Sequence, residues 1–248
     1  MMEGRKEWQG AIVALGIGVV IAILPAQTVH AADQVFLEER FASLDHWQPL
    51  TFPKIKRHSI CTATRCEGIS CLQMETSSAA SALMLKQTFN VYEYSLLTWR
   101  WKVSTIYRKG NSSSKEGDDY PARLYVVFAY DPATATLGKK LRYELVKTFY
   151  GQYPPDSSIS YIWDNQMTGK SFIVNAYASE ARMIPVNAGP EAVNTWQEHQ
   201  VDILRDYRMA FGQDPPATAS LAVMSDSDNT HETATAWIQF IRLEKPRQ

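Results

Sequence analysis

The sequence has 248 residues, with 25 Lys and Arg against 26 Asp and Glu, so its formal net charge is −1. This balance excludes a basic nucleic-acid-binding surface and an acidic tail, and we expect no nucleic-acid partner. With 45% hydrophobic and 21% charged residues, the composition is that of a globular protein and excludes intrinsic disorder.

Residues 1–31 have the pattern of a secretory signal peptide. Basic residues precede an apolar run over 11–26, and Val29 and Ala31 supply the small residues that signal peptidase requires before the cut. The run is shorter than the about 20 residues that span a membrane, and Pro25 interrupts it. The sequence therefore predicts cleavage after Ala31, a periplasmic or secreted location, no stable membrane anchor after cleavage, and one domain over 32–248. It indicates no particular oligomeric state.

All three cysteines lie in a predicted hairpin whose strands cover 59–63 and 69–76. An exported protein meets an oxidising compartment, in which disulfides persist. With the turn at 65–68, Cys61 lies opposite Cys71 and Cys66 lies at the tip, so the pattern predicts a Cys61–Cys71 disulfide. Zinc binding is not favoured, because neither a C-x-x-C motif nor a histidine pair accompanies the cysteines.

Alternating apolar and polar residues predict strands along most of the remaining chain. In 97–103, Trp99 and Trp101 share the apolar face, and we expect both of them, together with Trp237, to pack in the core. The segment 122–130 is apolar on both faces apart from Arg123, which is typical of a central strand. Further strands are predicted over 36–41, 81–89, 160–163, 181–186, 196–203, 217–224 and 233–243.

One helix is predicted over 204–211, ending at Gly212, with Pro215 and Pro216 beyond it. The stretches 104–120 and 147–159 are too long for simple connections, and we expect them to be loops at the rim of the fold. About ten strands with one helix predict an all-β fold: a two-sheet antiparallel β-sandwich of the jelly-roll (galactose-binding-like) type with one short helix.

A series of motifs occurs in a fixed order along the chain: LTWRWKV at 97–103, GDD at 117–119, ARLYVVF at 122–128, YIW at 161–163, Trp196, DYR and FG within 206–212, and DSDNT at 226–230. Over 36–243 the sequence resembles the bacterial secreted family called domain of unknown function 3047. The resemblance implies a periplasmic β-sandwich protein. It brings no assigned activity, catalytic residue or ligand.

Arg123 is the charged interruption of the predicted central strand. A buried guanidinium without a partner costs several kcal/mol, so we expect it to be paired with an acid. Asp118, Asp119 and Asp206 are the expected partners.

A set of charged residues lies at strand edges, strand ends and the predicted helix, where side chains could converge on one concave face. These candidate ligand-binding residues are Arg100, Asp118, Asp119, Arg123, Asp206, Arg208, Asp226 and Asp228. The alternative is that they form mutually satisfied ion pairs and turn caps, because buried charges need partners and Asp favours turns.

Common catalytic and metal signatures are missing from the sequence. There is no nucleophile elbow, no phosphate-binding loop and no paired histidine spacing, so catalytic residues are not identifiable. The segment 226–230 begins like a calcium loop, but His231 and Trp237 occupy the positions where an EF-hand needs Gly and Glu. No cofactor is expected, and a structural calcium ion at a strand end stays open.

Three functional classes are compatible with these features. The first is a carbohydrate- or glycan-binding module, in which aromatic faces and planar side chains such as Arg, Asp and Asn would hold a sugar. The second is a glycoside hydrolase or polysaccharide-cleaving enzyme that sets Asp118 or Asp119 against Asp226 or Asp228 across a cleft. The third is a structural protein of the envelope with no small-molecule site.

Overall fold

The computed structural model describes residues 34–133, 135–150 and 153–246, with the backbone alone at 142, 145, 146 and 148–150. The predicted signal peptide and its cleavage site therefore lie outside the described residues. None of the helices within these ranges has the length and apolar character needed to cross a membrane.

The described chain is predominantly strand. The strands are β1 (Val35–Glu39), β2 (Trp47–Leu50), β3 (Ile60–Cys66), β4 (Ile69–Ser77), β5 (Ala80–Leu85), β6 (Phe89–Asn90), β7 (Leu96–Val103), β8 (Arg123–Phe128), β9 (Ser157–Asp164), β10 (Ile173–Val174), β11 (Ala181–Ala188), β12 (Gln197–Asp202), β13 (Thr218–Asp226) and β14 (Thr233–Glu244). The α-helices are α1 (Leu137–Tyr150) and α2 (Ile203–Phe211).

The strands form two sheets. The first has the order β12-β7-β14-β4-β3, with β1 also paired to β14, and the second has the order β10-β11-β9-β8-β13-β5-β2, with β6 also paired to β13. Strand pairs are antiparallel except β9 with β11, which run parallel. The predicted fold class, an all-β two-sheet sandwich of the jelly-roll type, is confirmed.

The core lies between the sheets, where large aromatic side chains meet. Trp99 of the first sheet lies 5.2 Å from Tyr161 of the second, and Trp101 lies 6.3 Å from Trp163, measured between ring centroids. All four side chains are fully buried. The predicted core positions of Trp99 and Trp101 are therefore confirmed.

Trp237 differs from this expectation. It lies opposite Lys102 and Gln73 on the outer face of the first sheet and is half-buried. Its indole Nε1 donates to Gln73 Oε1 at 3.1 Å, and the Lys102 ammonium lies 5.2 Å from its ring centroid. The reason is strand alternation, because Ala236 and Ile238 on either side face the core.

The predicted helix is α2. Its N-cap is Asp202, whose side chain accepts hydrogen bonds from the backbone N of Leu204 and of Arg205. It ends at Gly212, which has φ 69°, a left-handed conformation that favours glycine.

The helix α1 was not predicted, and its C-terminal end occupies part of the stretch expected to be a loop over 147–159. Its first backbone bond runs from Lys140 N to Thr136 O at 2.9 Å. Leu137 and Leu141 are exposed, so the helical spacing of these leucines does not mark a core-facing stripe. Good helix-forming residues such as Leu, Lys and Glu account for the element.

The predicted hairpin is β3–β4, but the predicted Cys61–Cys71 disulfide is wrong. The disulfide joins Cys66 to Cys71, with 5.8 Å between their Cα atoms, and Cys61 is free. The turn is only Glu67-Gly68, both at positive φ, so Cys61 lies opposite Met74 while Cys71 lies opposite Thr64. This register places Cys61 on the core face and the other two cysteines on the outer face.

Candidate functional site

Five of the predicted site residues meet where β8 begins and β13 ends, and we call them the charged cluster: Asp118, Asp119, Arg123, Asp226 and Asp228. Asp118 and Asp119 follow a single 3-10 turn at Lys115–Gly117 and come just before β8. Asp226 is the last residue of β13, and Asp228 lies in the loop that follows. The antiparallel pairing of β8 with β13 brings these two chain segments together.

Arg123 is buried and paired with acids, as predicted. Its Nε donates to Asp226 Oδ1 at 2.9 Å and its Nη2 donates to Asp226 Oδ2, a bidentate pair. Nη2 also donates to the Asp118 backbone carbonyl at 2.5 Å, and Nη1 lies 3.6 Å from Asp118 Oδ1. Of the expected partners, Asp118 is confirmed, whereas Asp119 and Asp206 are wrong because Asp226 takes that place.

Asp119 organises the loop after β13. Its carboxylate accepts hydrogen bonds from the backbone N of Asn229 at 3.0 Å, from the side-chain amide of Asn229 at 2.9 Å, and from the backbone N of Thr230 at 2.6 Å. Its side chain is 0% exposed. Sequence patterns can place such an Asp before a strand, but they cannot show which distant loop it caps.

Burial and neighbouring negative charges raise the pKa values of two acids in the charged cluster. The pKa of Asp226 is raised to about 7, first by burial and then by the nearby Asp119 and Asp118 charges, against the opposing effect of Arg123. The pKa of Asp228 is raised by burial and by Asp119. The acids of the cluster outnumber its single cation.

The other predicted site residues lie elsewhere. Arg100 lies on the outer face of the first sheet, 5.7 Å from the Trp196 ring centroid. Asp206 accepts from the Tyr161 hydroxyl at 3.1 Å and pairs with Arg205. Arg208 pairs with Asp214 at 2.7 Å on the surface. The expectation that these three residues join the others is therefore wrong.

The charged cluster is closed rather than concave. Asp118, Asp119, Arg123 and Asp226 are all buried, and their oxygen and nitrogen atoms are mostly engaged with one another or with the two loops. The Arg123–Asp226 pair and the loop contacts of Asp119 agree with the ion-pair and turn-cap alternative, although the network is incomplete, because Asp118 Oδ1 has no hydrogen bond among the described residues. A pocket for a small molecule must be sought at another place.

An open cleft lies at the opposite end of the same two strands, and we call it the tyrosine cleft. It has a volume of about 910 Å³, and the residues with polar or aromatic side chains that line it are Tyr92, Tyr130, Asp131, Thr136, Lys139, Asp156, Gln213, Asp214 and Thr218. Thr218 begins β13 and Asp226 ends it, so the cleft and the charged cluster are roughly 25 Å apart along the strand. Loops after β8, before β9 and after α2 build its walls.

Aromatic and charged side chains in the cleft are held by neighbours. Tyr92 is 45% exposed, and its hydroxyl donates to the Pro215 carbonyl at 2.8 Å. Tyr130 packs against Tyr143, with 4.3 Å between ring centroids. Lys139 pairs with Asp156 at 2.5 Å on the cleft wall.

None of the cleft residues was a candidate in the sequence. The sequence nevertheless carried a turn signal, because two of the loops of the cleft contain an Asp-Pro dipeptide, Asp131-Pro132 and Asp214-Pro215, beginning three residues after the end of β8 and of α2. Such dipeptides mark turns. The missing information is that β8 and β13 are neighbours, which brings both turns to one rim.

The chain matches the profile of a family described as "Protein of unknown function (DUF3047)" over residues 45–242. No curated protein matches the chain.

Several solved structures match the chain at low sequence identity. A family 30 carbohydrate-binding module of a Clostridium thermocellum cellulase has 10% identity and a TM-score of 0.39, covering 81% of this chain and 95% of that one. Winged bean acidic lectin in complex with methyl-α-D-galactose has 8% identity and a TM-score of 0.40, covering 86% and 99%. The adhesin domain of Lys-gingipain from Porphyromonas gingivalis W83 has 11% identity and a TM-score of 0.38, covering 85% and 98%. These scores are too low to carry an inference about a ligand.

Proposed function

We propose that this chain, which belongs to the DUF3047 family of proteins of unknown function, is an exported protein that binds a carbohydrate in the tyrosine cleft. The observation that carries the proposal is the cleft itself, in which an exposed aromatic ring lies beside carboxylate, amide and ammonium groups. Its volume of about 910 Å³ is in the range of small-molecule sites.

The chemistry of a sugar fits these groups. One face of a pyranose ring is lined with C–H groups and packs on an aromatic ring, and its hydroxyls both donate and accept hydrogen bonds. Tyr92 offers the ring, and Gln213 and Asp214 lie on the same wall as planar hydrogen-bonding partners. Loops at the end of a rigid sandwich are a common place for such sites.

The hydrolase alternative finds no support at the charged cluster. Retaining and inverting glycosidases place two carboxyl groups about 5–10 Å apart on either side of the sugar. Asp119, Asp226 and Asp228 instead offer oxygens within 4.8 Å of one another, and the first two are buried. A sugar ring does not fit between them.

The binding proposal is tested with purified protein and a panel of oligosaccharides in a thermal-shift screen, followed by calorimetry on any hit. For a sugar found in this way, Tyr92→Ala is expected to weaken binding by about fivefold or more, because stacked aromatic contacts contribute about 1 kcal/mol or more. Tyr92→Phe keeps the ring and is expected to keep most of the affinity.

Asp214→Asn is expected to weaken the binding of the same sugar. It is not expected to lower the melting temperature of the protein, because the ion pair of Asp214 with Arg208 is exposed. Glu38→Gln, in the exposed ion pairs with Arg40 and Arg242, is the matched control away from the cleft. A sugar that binds Tyr92→Ala as tightly as the unaltered chain would place the site elsewhere. A panel in which nothing binds would contradict the proposal.

Export is supported by the pattern of residues 1–31 and by the Cys66–Cys71 disulfide, a bond that persists in oxidising compartments. Expression of the full chain in a Gram-negative host is expected to give a periplasmic protein that begins at Ala32. N-terminal sequencing checks this, and an uncleaved chain in the cytoplasm would contradict it.

A further inference from the structure

We propose that Asp119, Asp226 and Asp228 bind one calcium ion at the end of the sandwich opposite the tyrosine cleft. Each of the three residues offers a carboxylate oxygen, and these oxygens lie within 4.8 Å of one another. Opposite ligands of Ca²⁺ are about 4.6–5.2 Å apart, since Ca–O distances are about 2.3–2.6 Å. The ligand set is all oxygen, which suits Ca²⁺ and does not suit zinc or copper.

The hydrogen bonds of the cluster leave room for a cation. An ionised carboxylate has about four acceptor positions. Asp119 Oδ1 accepts one hydrogen bond, from the Asn229 amide, and Asp226 Oδ2 accepts one, from Arg123. The Asp228 side chain makes no salt bridge and no hydrogen bond to another described residue; it bonds to its own backbone, and the charges of Arg123 and His231 lie nearby. Each of the three acids therefore retains acceptor capacity for a metal.

The charge balance also points to a cation. The charged cluster contains four carboxylates and one guanidinium, and all but Asp228 are buried. The nearby Lys109 ammonium does not pair with these acids, since it donates to the Thr230 carbonyl at 3.3 Å. Buried carboxylates in excess of their counter-charges are costly unless a proton or a metal ion joins them. A divalent ion balances most of this excess.

A second, independent observation is a group of buried polar atoms without partners around the acids. The Tyr107 hydroxyl is 1% exposed and lies near the Ser225 hydroxyl, but neither group makes a hydrogen bond of normal geometry within the described chain. It faces Asp226 and Asp119, whose charges, after burial, are the main causes that raise its pKa. The Thr230 hydroxyl is equally buried and unpartnered, and the backbone N of the same residue bonds to Asp119.

These orphaned groups are what a hydrated ion would satisfy. Buried polar side chains are nearly always paired, and a cluster of exceptions marks an ion or bound water. Asp118 Oδ1, also without a hydrogen bond, extends the same group. The ion would tie the segment before β8 to the loop after β13, so its expected effect is on stability rather than on the tyrosine cleft.

The test measures the melting temperature of chelator-treated protein while CaCl₂ is added. Calcium at 100 times its dissociation constant is expected to raise the melting temperature by about 5–10 °C. Tb³⁺, which substitutes for Ca²⁺, is expected to give tyrosine-sensitised luminescence from Tyr107 that excess Ca²⁺ removes.

Asp228→Asn is the decisive variant, because this side chain makes no bond on which the fold depends. It is expected to keep the melting temperature of the calcium-free protein and to lose the calcium-dependent rise. Asp45→Asn is the matched control, at an exposed aspartate whose carboxylate accepts from the Ser43 hydroxyl and from no other described residue in a hydrogen bond, and it is expected to keep the rise.

Three results would contradict the proposal of a calcium site or the identity of its ion. No change in melting temperature at millimolar calcium, or the same rise in Asp228→Asn, would overturn the proposal. An equal rise with Mg²⁺ would overturn the assignment of calcium. None of these readouts involves a sugar, so the calcium site and the carbohydrate proposal stand or fall separately.

Discussion

Arg123 is a charge on a strand whose other side chains are apolar, and its environment explains why the strand tolerates it. The guanidinium is surrounded by Asp226, Asp118 and the ring of Tyr120, whose centroid is 4.3 Å away. Both hydrogen bonds to Asp226 are made in the protein interior, where a pair stabilises only if its geometry is good. Removing one partner leaves the other charge buried and unpaired.

The first prediction concerns this pair. Asp226→Asn in chelator is expected to lower the free energy of unfolding by about 3–5 kcal/mol, because Arg123 then lacks its carboxylate. Arg123→Met is expected to destabilise as well, and the double variant is expected to be less destabilised than the sum of the two changes. Urea unfolding measures all three.

The exposed Lys102–Glu67 ion pair provides the matched control. Glu67→Gln is expected to cost less than about 1 kcal/mol, since surface pairs are screened by solvent. If Asp226→Asn costs no more than Glu67→Gln, the buried pair has no structural role.

At the scale of an element, the turn of the β3–β4 hairpin determines which cysteines can form a disulfide. Its two-residue turn fixes which residues face each other, and a shift in the turn moves every side chain to a new partner. The disulfide at the tip is buried on the outer face, and Glu67 in the turn bonds to the Lys102 ammonium at 2.7 Å and to the Trp196 indole at 3.2 Å. The tip is thereby attached to the neighbouring strands.

The second prediction concerns the cysteines. Non-reducing peptide mapping of the folded protein is expected to find Cys66 linked to Cys71. Cys61 is expected to resist alkylation until the protein unfolds, because burial raises the pKa of its thiol to about 11.

Replacing both linked cysteines by Ser is expected to lower stability by about 2 kcal/mol, the chain-entropy value for a short loop. Cys61→Ser alone keeps the disulfide and serves as the control for loss of a sulfur atom. A Cys61–Cys71 link in the map would contradict the register described above.

At the scale of the whole molecule, the two sheets are joined along one open side by polar contacts as well as by the core. Asn187 of β11 accepts from the Trp101 indole at 2.8 Å and lies 2.7 Å from His199 Nε2, both in the first sheet. The same side chain thus links the second sheet to two strands of the first. His199 also packs against Trp99, with 5.3 Å between ring centroids.

The third prediction is acid destabilisation through His199. Burial lowers its pKa to about 4, below the ordinary value of 6.5. The unfolded chain therefore binds the proton more readily, so stability is full above about pH 6.5 and is lost as the pH falls toward 4.

His199→Asn removes the titrating imidazole. The free energy of unfolding, measured from pH 7 down to pH 4, is therefore expected to fall less steeply in this variant than in the unaltered chain. His58→Asn, at an exposed histidine, is expected to leave the slope unchanged. Equal slopes in all three proteins would exclude His199 as the acid-sensitive group.

The sequence by itself determined the sandwich, because alternation with a period of two is a local property that each strand carries in its own residues. It also determined that Arg123 needs an acid and that α2 ends at Gly212, since both follow from the chemistry of neighbouring residues. The helix α1 carried helix-forming residues but no core-facing stripe, so its pattern resembled a polar loop.

Only the tertiary structure decided which groups meet. Asp226 is separated from Arg123 by 103 residues, and the pairing of β8 with β13 makes them neighbours. The same pairing brings two Asp-Pro turns to the tyrosine cleft and three acids to the proposed calcium site. Strand order and register depend on the packing of the whole core, and a local pattern fixes neither of them.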